Sequence, residues 1–151
     1  MHTPVAKLLR SRGGVCHTSP DVSVSEVVRV LHERNFGSIL ILDSESKIQG
    51  IFTERDLLRR VVAVGLDPES TDIRSVMTRN VFVVDKSTAR IDVHQIMERK
   101  HIRHVPVMDG KTVLGVISLR DILRSENEEK DFEIDQLKGY VTSKPYPSYP
   151  R

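Results

Sequence analysis

Gly50-Ile51-Phe52-Thr53-Glu54-Arg55-Asp56-Leu57-Leu58 recurs 65 residues later as Gly115-Val116-Ile117-Ser118-Leu119-Arg120-Asp121-Ile122-Leu123. Upstream, Phe36-Gly37-Ser38-Ile39-Leu40-Ile41-Leu42-Asp43 aligns with Ile102-Arg103-His104-Val105-Pro106-Val107-Met108-Asp109 at an offset of 66, so one deletion between the two blocks reconciles the registers. Further back, Val27, Leu31 and Asn35 match Val93, Met97 and His101, while Val24 meets Arg90. Each copy covers about 45 residues, a length expected to bury its apolar face against its partner rather than enclose a core alone.

The elements of one copy can be read and carried to the other. Val24, Val27, Val28 and Leu31 have helical spacing. Strands over 38–42 and 48–52 follow across the polar turn 43–47, and a helix over 54–64 stops near Gly65 with Pro68 beyond it. The second copy reads as a short helix over 72–77, a strand over 81–84, a helix over 89–99, strands over 105–108 and 113–117, and a last helix from Leu119. That helix is expected to run into 126–137, where Phe132, Ile134 and Leu137 could touch a surface; a Pro/Tyr-rich tail follows Gly139. The fold class is α/β in the α+β sense: two small sheets flanked by helices. The expected domains are 1–66, 67–138 and the tail 139–151.

The composition is that of an ordinary globular protein, with 38% hydrophobic and 29% charged residues in 151. No apolar run approaches the ~20 residues of a membrane-spanning helix. The first residues hold no stretch of signal-peptide length, so a cytoplasmic location with no membrane association is expected. Cys16 is the only cysteine and aligns with Phe82, which favours a small buried hydrophobe over a reactive thiol. Net charge is +2, and the stretch 126–135 holds six acids and one lysine, which leaves the basic surplus in the body. Such a distribution suits a small anionic ligand better than nucleic acid, and no nucleic-acid partner is expected.

Thr53 with Asp56, and Ser118 with Asp121, stand three apart where a strand hands over to a helix. This is the spacing of a capping box, in which the hydroxyl accepts from the N3 amide and the N3 acid accepts from the N-cap amide. Capping alone could explain both pairs. A ligand-binding reading adds Gly50 and Gly115, where a neighbour or ligand could approach the backbone, and Arg55 and Arg120 in the first turns. Carboxylate, free amides and guanidinium together suit a sugar phosphate.

With those residues in place, the chain resembles a tandem pair of cystathionine-beta-synthase (CBS) domains, the arrangement called a Bateman module. The resemblance runs from about Thr18 to Arg124 and is strongest in the two heptamers 50–56 and 115–121 and in Arg103-His104-Val105-Pro106-Val107-Met108-Asp109. It implies two copies packed sheet against sheet with pseudo-twofold symmetry and two clefts between them. It also implies a ribose held by Thr53 with Asp56 or by Ser118 with Asp121. Adenine would rest near 16–20, including Thr18, Ser19 and Pro20, or near 81–84, including Val81 and Val83. Ile51 and Val116 would line the base pockets, with Pro106 beside them. Phosphates would meet Arg103 and His104 from the facing copy, with Arg55 and Arg120 as further candidates. Gly37 and Ser38 replace Arg103 and His104 in the first copy, so the clefts should differ and only one should hold phosphate well.

The implied ligand is AMP, ADP or ATP, with NAD or S-adenosylmethionine as further possibilities. The implied role is that of a regulatory, energy-sensing module acting in trans on an unidentified protein. A homodimer is expected through the helix from Leu119 and short helices over 5–9 and 73–77, whose apolar residues two small repeats would not fully cover, and a ligand-free scaffold is the alternative. His101 and His104 lie near no other histidine or cysteine in sequence, so no metal site is expected. No nucleophile elbow, phosphate loop of the Walker type or dinucleotide fingerprint is present, and no catalytic residue is assigned.

Overall fold

The computed structural model describes residues 2–9 and 15–143, without the side chains of 142 and 143. The tail from 144 onward lies outside the described residues. In the first half, β1 (His17–Thr18) runs parallel to β2 (Ser38–Leu42), and β2 pairs antiparallel with β3 (Ile48–Thr53). The parallel pair needs a crossover, supplied by α1 (Val24–Arg34). In the second half β4 (Val84–Asp85), α4 (Arg90–Lys100), β5 (His104–Asp109) and β6 (Thr112–Ser118) repeat that order. Leu40 opposite Ile51 corresponds to Pro106 opposite Val116, and each ladder slips at the same place, after Ile41 and after Val107.

Local chemistry sets the boundaries. Ser23 and Glu26 form a reciprocal capping box on α1. α1 and α4 both end on a left-handed residue, Asn35 at φ 54° and His101 at φ 53°, which turns the chain back into the next strand. The first hairpin loop is organised by Asp43, whose carboxylate accepts from the amides of Glu45 and Lys47 at 2.9 Å. The shorter second loop turns on Gly110, at φ 58°.

Each half closes a cluster of its own, contrary to the expectation of one shared core. The first contains Cys16, Val24, Val27, Leu31, Ile39, Ile41 and Phe52; the second contains Val84, Val93, Met97, Val105, Val107, Ile117 and Ile122. What makes this possible is a leading segment added to each. Residues 71–77 (Thr-Asp-Ile-Arg-Ser-Val-Met) include α3 (Ile73–Val76) and bury Ile73, Val76 and Met77 in the first cluster. Residues 3–9 (Thr-Pro-Val-Ala-Lys-Leu-Leu) include a 3-10 turn, Val5–Leu8, and bury Val5 in the second. The backbone contacts correspond: Val24 N–H donates to Thr71 O at 2.9 Å and Arg90 N–H to Thr3 O at 2.8 Å. These short helices are thus spent inside the molecule, and their apolar residues do not form the free surface that the sequence suggested.

Three further readings are corrected. Only Val84 and Asp85 pair with β5, so 81–83 precede the strand instead of forming it. The helix after β3 starts as α2 (Glu54–Asp56) and continues as a π-helical stretch, Leu57–Val62, in which Ala63 N–H donates to Leu58 O at 2.8 Å. α5 (Leu119–Ser143) passes through Gly139, and Phe132, Ile134 and Leu137 are exposed on it. Among the described residues, no helix is long and apolar enough to cross a membrane.

Candidate functional site

Both hydroxyl–carboxylate pairs form the capping boxes their spacing predicts. Asp56 accepts from the Thr53 amide at 3.0 Å, and Thr53 Oγ1 accepts from the Asp56 amide at 3.2 Å. Asp121 Oδ2 accepts from the Ser118 amide at 2.9 Å and from the Ser118 hydroxyl at 2.8 Å, while Ser118 Oγ accepts from the Asp121 amide at 3.1 Å. All four side chains are half-buried. Each helix start is therefore preformed, and each acid uses one oxygen for the cap.

The two helix starts meet at His104. A β-carbon placed on Gly37 would lie 3.3 Å from His104 Nε2 and 3.8 Å from the Glu54 carboxyl carbon. The missing side chain at Gly37 is what lets the second copy's imidazole and the first copy's Glu54 occupy one place. Burial is the main influence on that imidazole and holds its pKa below the usual histidine value; Arg103 pushes the same way, and the carboxylates of Glu54, Asp121 and Asp56 pull against it. Burial thus favours the neutral ring even though carboxylates of both copies act on it. Glu54 is a member of this group that sequence reasoning missed, because its counterpart in the other copy is Leu119.

The acids differ in their remaining neighbours. Arg60 Nε stands 3.7 Å from Asp56 Oδ1, and its Nη1 donates to the carbonyls of Val76 at 3.2 Å and Met77 at 3.1 Å. This ties the first helix start to the segment that connects the copies. Arg60 corresponds to Ser125, whose hydroxyl accepts instead from Arg90 at 2.9 Å. Arg90 is buried where the first copy has Val24, and it pairs with Glu129 of α5. Neither arginine was singled out from sequence; the mismatch of Val24 with Arg90 was the available signal.

The remaining expected residues scatter in exposure. Ile51 and Pro106 are buried, Val116 is half-buried, and Thr18, Pro20, Val81 and Arg55 are half-buried; Ser19, Val83, Arg103 and Arg120 are exposed. Gly50 and Gly115 have a structural use. A β-carbon on Gly50 would meet Met77 Sδ at 2.6 Å and Thr78 O at 3.0 Å, and one on Gly115 would meet Leu9 Cδ2 at 2.8 Å. The close approach is made by the leading segments, not left for a ligand. Ile51 is bound on both backbone atoms by Thr78, at 3.0 and 2.9 Å. Cys16 is buried, and its burial raises the thiol pKa against the pull of Arg34, which leaves little thiolate for chemistry. Two shallow surface concavities lie elsewhere, one lined by 21–23 with 69–72 and one on the outer end of α5.

Paired βαββ units with a hydroxyl and an acid at each helix start define a tandem CBS module. The chain belongs to the CBS domain family, which matches residues 12–63 and 73–128. It is 27% identical over 148 residues to the mitochondrial CBS domain-containing protein CBSX3 of Arabidopsis thaliana, covering 92% of this chain and 72% of that protein. It is 35% identical over 126 residues to arabinose 5-phosphate isomerase KdsD of Yersinia pestis, covering 79% of this chain and 38% of the isomerase. The crystal structure of a CBS-domain-containing protein from Agrobacterium tumefaciens superposes with a TM-score of 0.76 at 32% identity, covering 82% of this chain and 99% of that one. Modules of this family generally bind adenosine-containing ligands in a regulatory capacity and are typically not catalytic.

Proposed function

We propose that the chain binds one adenine nucleotide, AMP, ADP or ATP, at the Thr53–Asp56 helix start, with the phosphates directed at His104 and Arg103 of the other copy. The observation that carries this reading is the seating of His104 against Gly37 and Glu54, which brings a nitrogen-bearing ring from one copy to the helix start of the other. The first helix start also offers the positive end of its dipole and Arg55 to a phosphate. Gly37 and Ser38, which stand in the first copy where the second has Arg103 and His104, bring no charge, and on that ground the Ser118–Asp121 start is the weaker phosphate site in this reading. Isothermal titration with AMP, ADP and ATP is expected to give one dominant site per chain; two equal sites would refute the asymmetry.

The same reading makes the module a regulator rather than a catalyst. Nucleotide contacting both copies stabilises one arrangement of them, and it can change affinity for another protein only as far as it prefers that arrangement. Leu58, Val62 and Leu123 are exposed on the helices that follow β3 and β6. Leu58 and Leu123 are equivalent in the repeat, so this apolar face is the one we assign to a homodimer. Light scattering that shows a monomer at micromolar concentration, together with no change on Leu58→Glu, would remove that assignment.

A further inference from the structure

Asp56 and Asp121 close equivalent caps, yet the oxygen that each has left over is held differently. Asp56 spends Oδ2 on the Thr53 amide at 3.0 Å, and its Oδ1 stands 3.7 Å from Arg60 Nε. That separation makes an ion pair but is too long for a hydrogen bond, so Oδ1 accepts none among the described residues. The Asp56 side chain is only 15% exposed. A charged, largely buried oxygen that is held in place but not hydrogen-bonded is open to a donor from outside the chain. The Thr53 hydroxyl beside it accepts from the Asp56 amide and donates to nothing among the described residues. The second copy has neither feature. There the Ser118 hydroxyl donates to Asp121 Oδ2 at 2.8 Å, and among the described residues no guanidinium pairs with that acid.

Arg60 is itself fixed from its far side. Its Nη1 donates to the carbonyls of Val76 at 3.2 Å and Met77 at 3.1 Å, which leaves Nε turned toward Asp56. It lies in the π-helical stretch Leu57–Val62, a rare geometry that recurs at functional sites, whereas its counterpart Ser125 lies in the regular helix α5. A planar guanidinium anchored on two carbonyls gives up little further freedom when it orients a carboxylate. Given the nucleotide site proposed above, we infer that Arg60 is a positioning residue for it. Arg60 holds Asp56 Oδ1 where a ribose hydroxyl donates to it, and so makes the first helix start, rather than the second, the one that grips the sugar. It acts through the carboxylate and not as a phosphate ligand.

Calorimetric titration of the full chain with AMP, ADP and ATP, and with the 2′,3′-dideoxy form of each that binds, tests this role. In the wild type, loss of the ribose hydroxyls should weaken binding about tenfold, the worth of one hydrogen bond to a charged acceptor. Arg60→Gln, its fold checked by circular dichroism, should weaken the ribonucleotide by a similar factor and leave the dideoxy form nearly unchanged, so that the ratio of the two affinities falls toward one. A merely structural role would weaken both forms alike and keep the ratio. Arg60→Lys keeps a charge but not the fork that spans the carbonyls; it should lower the ratio less, and it carries the test if Arg60→Gln does not fold. If none of the three nucleotides binds the wild type, the site itself falls and the role of Arg60 with it. A nucleotide bound with an unchanged ratio in the folded variants overturns the role of Arg60 alone.

Discussion

The two halves of this molecule share a strand order, a hairpin irregularity and a capping box, and they differ in what stands beside the acid of that box. In the first half Asp56 has Arg60, which also holds the carbonyls of Val76 and Met77. In the second, the position of Arg60 is taken by Ser125, which serves Arg90 and so fastens α5. One repeat spends its polar contacts on the connection between copies, the other on its own last helix. The duplicated motif therefore supplies geometry twice, while the unmatched residues decide what each copy is for.

The largest break in this comparison is at the buried arginine. Arg90 is compensated by Ser125 and Glu129, and its Nε is buried with no hydrogen-bond partner among the described residues. Glu129→Ala should destabilise by leaving the buried Arg90 guanidinium without its carboxylate, whereas Arg90→Met, which restores the apolar character of Val24, should be neutral or stabilising. Urea denaturation of both variants measures the difference, and equal losses would contradict the assignment of Arg90 as a polar substitute for a core residue.

A smaller break separates the two glycines. Gly50→Ala pushes a methyl group against Met77 and the Thr78 carbonyl and should cost about 1–3 kcal/mol. Gly115→Ala meets only the end of the Leu9 side chain, which can swing aside, and should cost less. Thermal unfolding of the pair orders them, and the reverse order would mean that the N-terminal segment is the more rigid of the two leading segments.

The smallest effect is one of pH. Because burial lowers the His104 pKa in the folded state, the unfolded chain takes up a proton first as pH falls. Stability from the neutral ring is complete above about pH 6.5 and declines as pH drops below that value toward the folded pKa. His104→Gln should flatten this part of the stability profile. A slope that stays the same in the variant would place its origin in another group.

Much of the fold was legible because the repeat was. Two heptamers in register gave the hairpins and both helix starts, and helical spacing gave α1. The strand expected at 81–84 shrank to Val84–Asp85 because a run of Val and Phe shows β propensity but not where a neighbour is available to pair. The leading segments 3–9 and 71–77 were seen as short helices but not as a matched pair, since only Thr3 and Thr71 are identical in them. Their burial depends on a zipper to residues distant in sequence. At the site, the acids and hydroxyls could be read from spacing, whereas Glu54 and Arg60 could not. Those two owe their places to contacts between copies and to the π-helical stretch, and their counterparts in the repeat, Leu119 and Ser125, are of a different kind.

Calorimetric titration of AMP, ADP and ATP into the wild type, Asp56→Asn and Asp121→Asn reaches the central claim most directly. One nucleotide should bind per chain, binding should be lost in Asp56→Asn, and it should persist in Asp121→Asn with both variants folded. Equal loss in the two variants, binding abolished only by Asp121→Asn, or no heat from any nucleotide with the wild type would contradict it.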